Sequence, residues 1–114
     1  MKRINTLLTI LFISLLSSPS WSETFDDLVQ RNGLIYKKFT DVPFTGKVTG
    51  SLQGSIKNGR EEGAWAYYFS NGHLSAKGNY KSGKLEGPWV WYNKDGTLDK
   101  EASGNYKGSK KISD

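Results

Sequence analysis

Few side chains in this sequence can do chemistry, and their spacing decides what each is for. The single histidine, His73, directly follows a turn glycine. A general base or a metal ligand needs converging partners, and the carboxylates are scattered, so His73 is expected to be an exposed turn residue. Glu61, Glu62 and Glu86 stand just ahead of two Gly-x-Trp triplets. Carboxylates that share a cleft can carry acid–base catalysis. Glu62 and Glu86, however, hold equivalent places 24 positions apart, which predicts solvated turns rather than one site. The chain has no cysteine, so neither a disulfide framework nor a thiolate metal site can form. Its glycines do not make the Gly-x-x-x-x-Gly-Lys-Ser/Thr loop that cradles phosphate. The expectation is a protein without catalytic residues, cofactor or metal.

Aromatic and basic residues are the stronger signal. Trp65 and Tyr67 alternate along one stretch, and Trp89 and Trp91 along another. Alternation puts each pair on one face of a strand. The four are expected to pack on one another as a stabilising stripe. In a one-layer sheet, part of such a ladder can also stay open as a recognition strip. Lys57, Lys81 and Lys107 recur at strand ends, where solubilising lysines are the ordinary reading. Beside exposed aromatics they would suit an anionic polymer. The candidate binding surface is therefore Trp65, Tyr67, Trp89, Trp91, Lys57 and Lys81.

The elements that must position these residues are written twice. Gly59 and Gly83, Gly63 and Gly87, Trp65 and Trp89, Gly72 and Gly96, and Leu74 and Leu98 each differ by 24 positions. Such self-similarity marks a repeat architecture, in which one unit buries its apolar face only against the next. The repeats occupy 54–77 and 78–103, and a partial third occupies 104–114 with a frayed tail from Gly108. Turn pairs at Asn58-Gly59, Asn71-Gly72, Ser82-Gly83 and Asp95-Gly96 give two strands per unit. The expected fold is all-β, an antiparallel meander of tandem hairpins. Its return strands, His73 to Lys81 and Thr97 to Lys107, would put Leu74, Ala76 and Tyr80 on one face. Two extra residues in the second unit predict a bulge or wider loop over Asp99 to Ser103.

Ahead of the repeats, Lys2 and Arg3 precede an apolar run from Thr6 to Leu16 and a small polar stretch containing Pro19. This is the plan of a signal peptide over 1–22, cut after Ser22. The apolar run falls short of the about 20 residues of a membrane span; the rival reading is an uncleaved anchor. Export implies a periplasmic or secreted protein with no transmembrane span once cut. The formal charge of +5 drops to +3 when Lys2 and Arg3 leave, a mild excess that solvated lysines explain. Region 23–53 reads as a short helix from Glu23 to Gln30, with Thr24 as its cap, then a strand and a degenerate first repeat.

The segments IKNGREEGAWAYY (56–68) and YKSGKLEGPWVWY (80–92), each followed by a second x-Gly turn and a leucine, resemble the bacterial MORN-repeat variant of the YwqK antitoxin-like family. The lead-in RNGLIYKKFTDVPFTGKV (31–48) is similar to one common in that family. The resemblance implies a curved sheet of successive hairpins that serves as a binding surface, antitoxin-like or immunity-like in some members. The functional expectation is an exported, non-catalytic module that binds a protein partner. The alternative is an envelope component that binds anionic lipid or cell-wall glycan. Export argues against nucleic acid.

Overall fold

The computed structural model describes residues 22–114. The expected signal peptide over 1–22 lies outside them except for Ser22, the first residue of β1. Ten strands run in chain order: β1 (Ser22–Thr24), β2 (Leu28–Arg31), β3 (Leu34–Lys37), β4 (Gly46–Thr49), β5 (Leu52–Lys57), β6 (Arg60–Tyr68), β7 (Leu74–Lys81), β8 (Lys84–Trp91), β9 (Gly104–Lys107) and β10 (Lys110–Ser113). Strands β4 to β10 form an antiparallel meander, extended at its first edge by β1, which lies parallel to β4. Strands β2 and β3 make a separate hairpin. The all-β class follows from the residues: glycines and aromatics are frequent, and strand alternation replaces any 3.6 period.

No α-helix forms over Glu23 to Gln30. The chain makes one 3-10 turn at Phe25–Asp27 and then enters β2. Thr24 caps no backbone amide; its hydroxyl donates to Asp27 Oδ2 at 3.2 Å. A helix this short gains little by itself, and the competing ladder from Leu28–Lys37 to Arg31–Leu34 buries Leu28 and Ile35. Glu23, drawn into β1, forms an ion pair with Lys37 at 2.8 Å. Its hydrogen bond and charge raise the Lys37 ammonium above its ordinary pKa.

Three further expectations change. The tail is not frayed, since Lys110–Ser113 pairs with β9. The return strand from Thr97 shrinks to β9 and a single bridge between Tyr92 and Leu98. Between them, Asp99 Oδ1 accepts the amides of Glu101 and Ala102 at 3.1 Å each, which winds 99–103 into the wider loop that the extra residues predict. Leu74 leaves the face of Ala76 and Tyr80. A register shift pairs Tyr67 with Ala76 but Tyr68 with Leu74, and one extra residue carries a side chain to the other face.

The four predicted turns are present. Asn58-Gly59 and Ser82-Gly83 both have positive φ at each residue, 51° and 83° in the first, 51° and 82° in the second. That is the twist a two-residue hairpin prefers. Phe69 to His73 and Asn93 to Thr97 close the wider turns, each with a backbone bond of 2.8 Å between its ends.

One device sets the core. Inside β6 and β8, Gly63 and Gly87 take φ of +78°, which few side chains tolerate. Around them three residues oppose one. The pairings Gln53–Ala66 and Ser55–Glu62 leave Gly54 facing 63–65, and Lys77–Val90 and Asn79–Glu86 leave Gly78 facing 87–89. Bulges of this kind re-aim a side chain. Two residues past each bulge glycine, an indole leans across the preceding strand. Trp65 donates from Nε1 to the Ser55 carbonyl at 3.0 Å and Trp89 to the Asn79 carbonyl at 2.8 Å. A methyl group at Gly54 or Gly78 would lie 2.2 Å from the indole carbons. The Gly-x-Trp spacing and the strand glycines are thus two halves of one contact. At Gly104 the equivalent space is taken by the Lys111 stem and the Ser113 carbonyl.

Candidate functional site

The aromatic side chains lie where the strand alternation places them, and they are spent on packing. Trp65 and Trp89 are 3% and 1% exposed. Tyr80 meets both edge-on, with centroids 5.9 Å from Trp65 and 5.1 Å from Trp89. Trp89 stacks on Trp91 at 5.6 Å, and Tyr67 packs against Trp65, Trp89 and Trp91. Of the candidate binding surface, Trp65 and Trp89 are therefore core residues with almost no surface of their own to offer. Tyr67 and Trp91 are half-buried in the same cluster. The hydroxyls of Tyr67 and Tyr80 are 2.5 Å apart in one hydrogen bond. Burial pushes both phenols above their ordinary pKa, and that bond lifts Tyr67 further while opposing part of the rise at Tyr80. Trp91 Nε1 is buried and finds no partner among the described residues.

The opposite face carries the open space. A shallow trough of about 950 Å³ crosses β4 to β8. Its floor is Ala64, Ala66, Pro88 and Val90, with Leu74 and Tyr68 beside them. Lys47 and Lys77 stand in it, as do the polar Thr49, Gln53, Ser55 and Asn79, and no carboxylate lines it. Alternation along β6 and β8 that turns tryptophan inward must turn these small residues outward. The expected return-strand pattern missed Leu74 here, because the bulge that moves it leaves no mark in the sequence.

Lys57 and Lys81 sit exposed at the hairpin tips, beside spaces whose lining holds no aromatic side chain. Glu61, Glu62 and Glu86 belong to strands β6 and β8, not to loops. Glu62 Oε2 accepts the Ser82 amide at 2.8 Å, and Glu86 Oε2 accepts the Gly108 amide at 3.1 Å. Each carboxylate thereby fastens the next hairpin's turn, and their recurrence at one offset was the available signal. His73 is exposed, and its amide bonds Asn71 Oδ1 at 2.9 Å in the turn. Among the described residues, no three histidine or acidic side chains gather as for a metal, and no helix is long and apolar enough to cross a membrane.

One exposed feature escaped the sequence reading. Phe39 has φ of +66° and is fully exposed, with Val42 also largely exposed nearby. Its loop is braced by the Arg31 guanidinium, which donates to the Thr40 carbonyl at 2.5 Å, and by the Thr40 hydroxyl, which donates to the Lys37 carbonyl at 2.7 Å. Set against known protein families, curated proteins and solved structures, the chain matches none of them.

Proposed function

We propose that this chain is an exported, non-catalytic binding module of the MORN-variant, YwqK-like kind, which holds a protein partner on the face opposite its tryptophans. The trough carries the reading. Small apolar side chains form its middle, Lys47 and Lys77 flank them, and no acidic group opposes the lysines. That chemistry suits an apolar segment with acidic neighbours, as in recognition by a buried apolar patch with a charged rim. Support also comes from the repeat: the Gly-x-Trp bulge and the strand glycine recur as one contact at 24 positions, which is how a stack of identical units makes an extended surface. An immunity or antitoxin role is the form this takes if the partner is a toxin.

The test places a photo-crosslinking residue at Tyr68 in cells that produce the full chain. One discrete protein adduct is expected, and Ala66→Arg and Lys77→Glu should each remove it. Adducts that survive both substitutions would refute the proposal. Fractionation of the same cells tests export: the module should lie outside the cytoplasm as a species shortened by the signal, and retention of the full-length form inside would count against it.

A further inference from the structure

Three successive hairpin tips carry basic residues in register. Lys57 is the direct cross-strand partner of Arg60, Lys81 of Lys84, and Lys107 of Lys110. Like charges set opposite each other weaken an antiparallel pair, and the fold does this at each tip in turn. All six side chains are exposed, and none of them has an ion-pair partner among the described residues. Two carboxylates of this rim, Glu62 and Glu86, are occupied by turn amides. Between the rows lies a cleft of about 790 Å³ lined by Arg60, Lys81, Lys84 and Lys107, against Glu61 and Glu86. Neighbouring tips are two strands apart, roughly 10 Å at the usual strand spacing.

We propose that this rim is a rail for a linear polyanion without bases, such as a polyphosphate chain, laid across the hairpin tips. Equally spaced cationic pairs suit a ligand whose charge is repeated along a line. No aromatic side chain lines the cleft, and single-stranded nucleic acid needs stacking platforms. Nor does any large apolar side chain line it, where a lipid surface would gain from apolar insertion. The rail is separate from the trough and does not depend on the protein-binding reading.

The experiment titrates the full-length protein with medium-chain inorganic polyphosphate at several salt concentrations. If all six cations engage, log K should fall against log salt with a slope of about −4, from roughly 0.7 per neutralised charge on a single-stranded polyanion. Lys81→Gln with Lys84→Gln should reduce that slope by about 1.4, and Lys57→Gln with Arg60→Gln should do the same. Neither pair should lower the melting temperature, because each removes a repulsive contact. Lys47→Gln with Lys77→Gln, in the trough, should leave the slope unchanged. An unaltered slope in either rim variant would overturn the proposal. So would equally tight binding of oligothymidylate, capture by phosphatidylglycerol vesicles with no response to polyphosphate, or competition by pyrophosphate at equal phosphate concentration.

Discussion

Gly78→Ala is the substitution with the most to reveal. Gly78 pairs directly with Trp65 and lies under the ring of Trp89. An added methyl would stand 2.2, 2.4 and 2.5 Å from Cδ2, Cε2 and Cγ of that indole. Carbon atoms rest at about 3.5–4.0 Å, so the ring must withdraw by more than about 1 Å. Trp89 is 1% exposed and has no room to withdraw freely. Moving it strains the 2.8 Å bond to the Asn79 carbonyl and the packing on Tyr80 and Trp91. Overpacking of this kind costs about 1–3 kcal/mol, and losing the hydrogen bond adds about 1 kcal/mol, so about 3 kcal/mol is expected. Gly72→Ala is the control: its φ is +86° but nothing lies within 4 Å of the new methyl, so only backbone strain of about 1 kcal/mol applies. Urea unfolding followed by far-ultraviolet circular dichroism measures both. The decisive addition is Trp89→Ala. Alone it should cost about 3–5 kcal/mol, but with Gly78→Ala the losses should fall well short of additive, since the methyl then fills vacated space. If Gly78→Ala costs no more than Gly72→Ala, or if the two losses add, the indole-over-glycine account is wrong.

Other expectations follow from the same geometry. Trp91→Phe should change stability by less than about 1 kcal/mol, because it removes a buried N–H that has no partner among the described residues, whereas Trp89→Phe breaks a made bond and should cost clearly more. Phe39→Asn should stabilise by about 1 kcal/mol, since Phe39 gains nothing from burial while its φ of +66° suits asparagine; a lower urea midpoint would contradict this. The Tyr67 and Tyr80 phenols are raised above the ordinary value of 10.0, so the folded state holds their protons longer than the unfolded one. Their contribution is complete below about pH 10 and is lost as pH climbs from there toward the raised folded values. Denaturant midpoints measured from pH 8 to 11 should fall above pH 10, and the fall should shrink in Tyr67→Phe with Tyr80→Phe. Glu62→Ala should cost about 1 kcal/mol and Glu62→Gln less, because glutamine keeps an acceptor for the Ser82 amide.

Local chemistry made much of this fold legible before any coordinates. Asn58-Gly59 and Ser82-Gly83 announce tight turns because positive φ restricts which residues can stand there, and the period of 24 fixes what lies between them. The tryptophan stripe was legible for the same reason, from alternation alone. What failed was whatever depends on partners distant in the chain. Glu23 to Gln30 carries helix signals, yet the ladder with Leu34–Lys37 outweighs them. Leu74 changes face through a register shift that no residue type announces. For the candidate surface, alternation pointed to a packed stripe that could stay partly open, and the space across Gly54 and Gly78 explains why Trp65 and Trp89 close into the core. The basic pairs were visible at Lys57-Asn58-Gly59-Arg60 and Lys81-Ser82-Gly83-Lys84, but their significance needs the register that sets each pair face to face.

The replacement of an indole by Lys111 above Gly104 bears on how copies of this sheet meet. Lys111, on β10 itself, donates from Nζ to the Glu101 carbonyl at 2.8 Å and forms an ion pair with Asp114 at 2.9 Å, so its side chain folds back over β9 with its ammonium paired. A copy meeting the β10 edge therefore finds no aromatic ring to stack on there, since the place of the indole holds an alkyl stem and a paired ammonium.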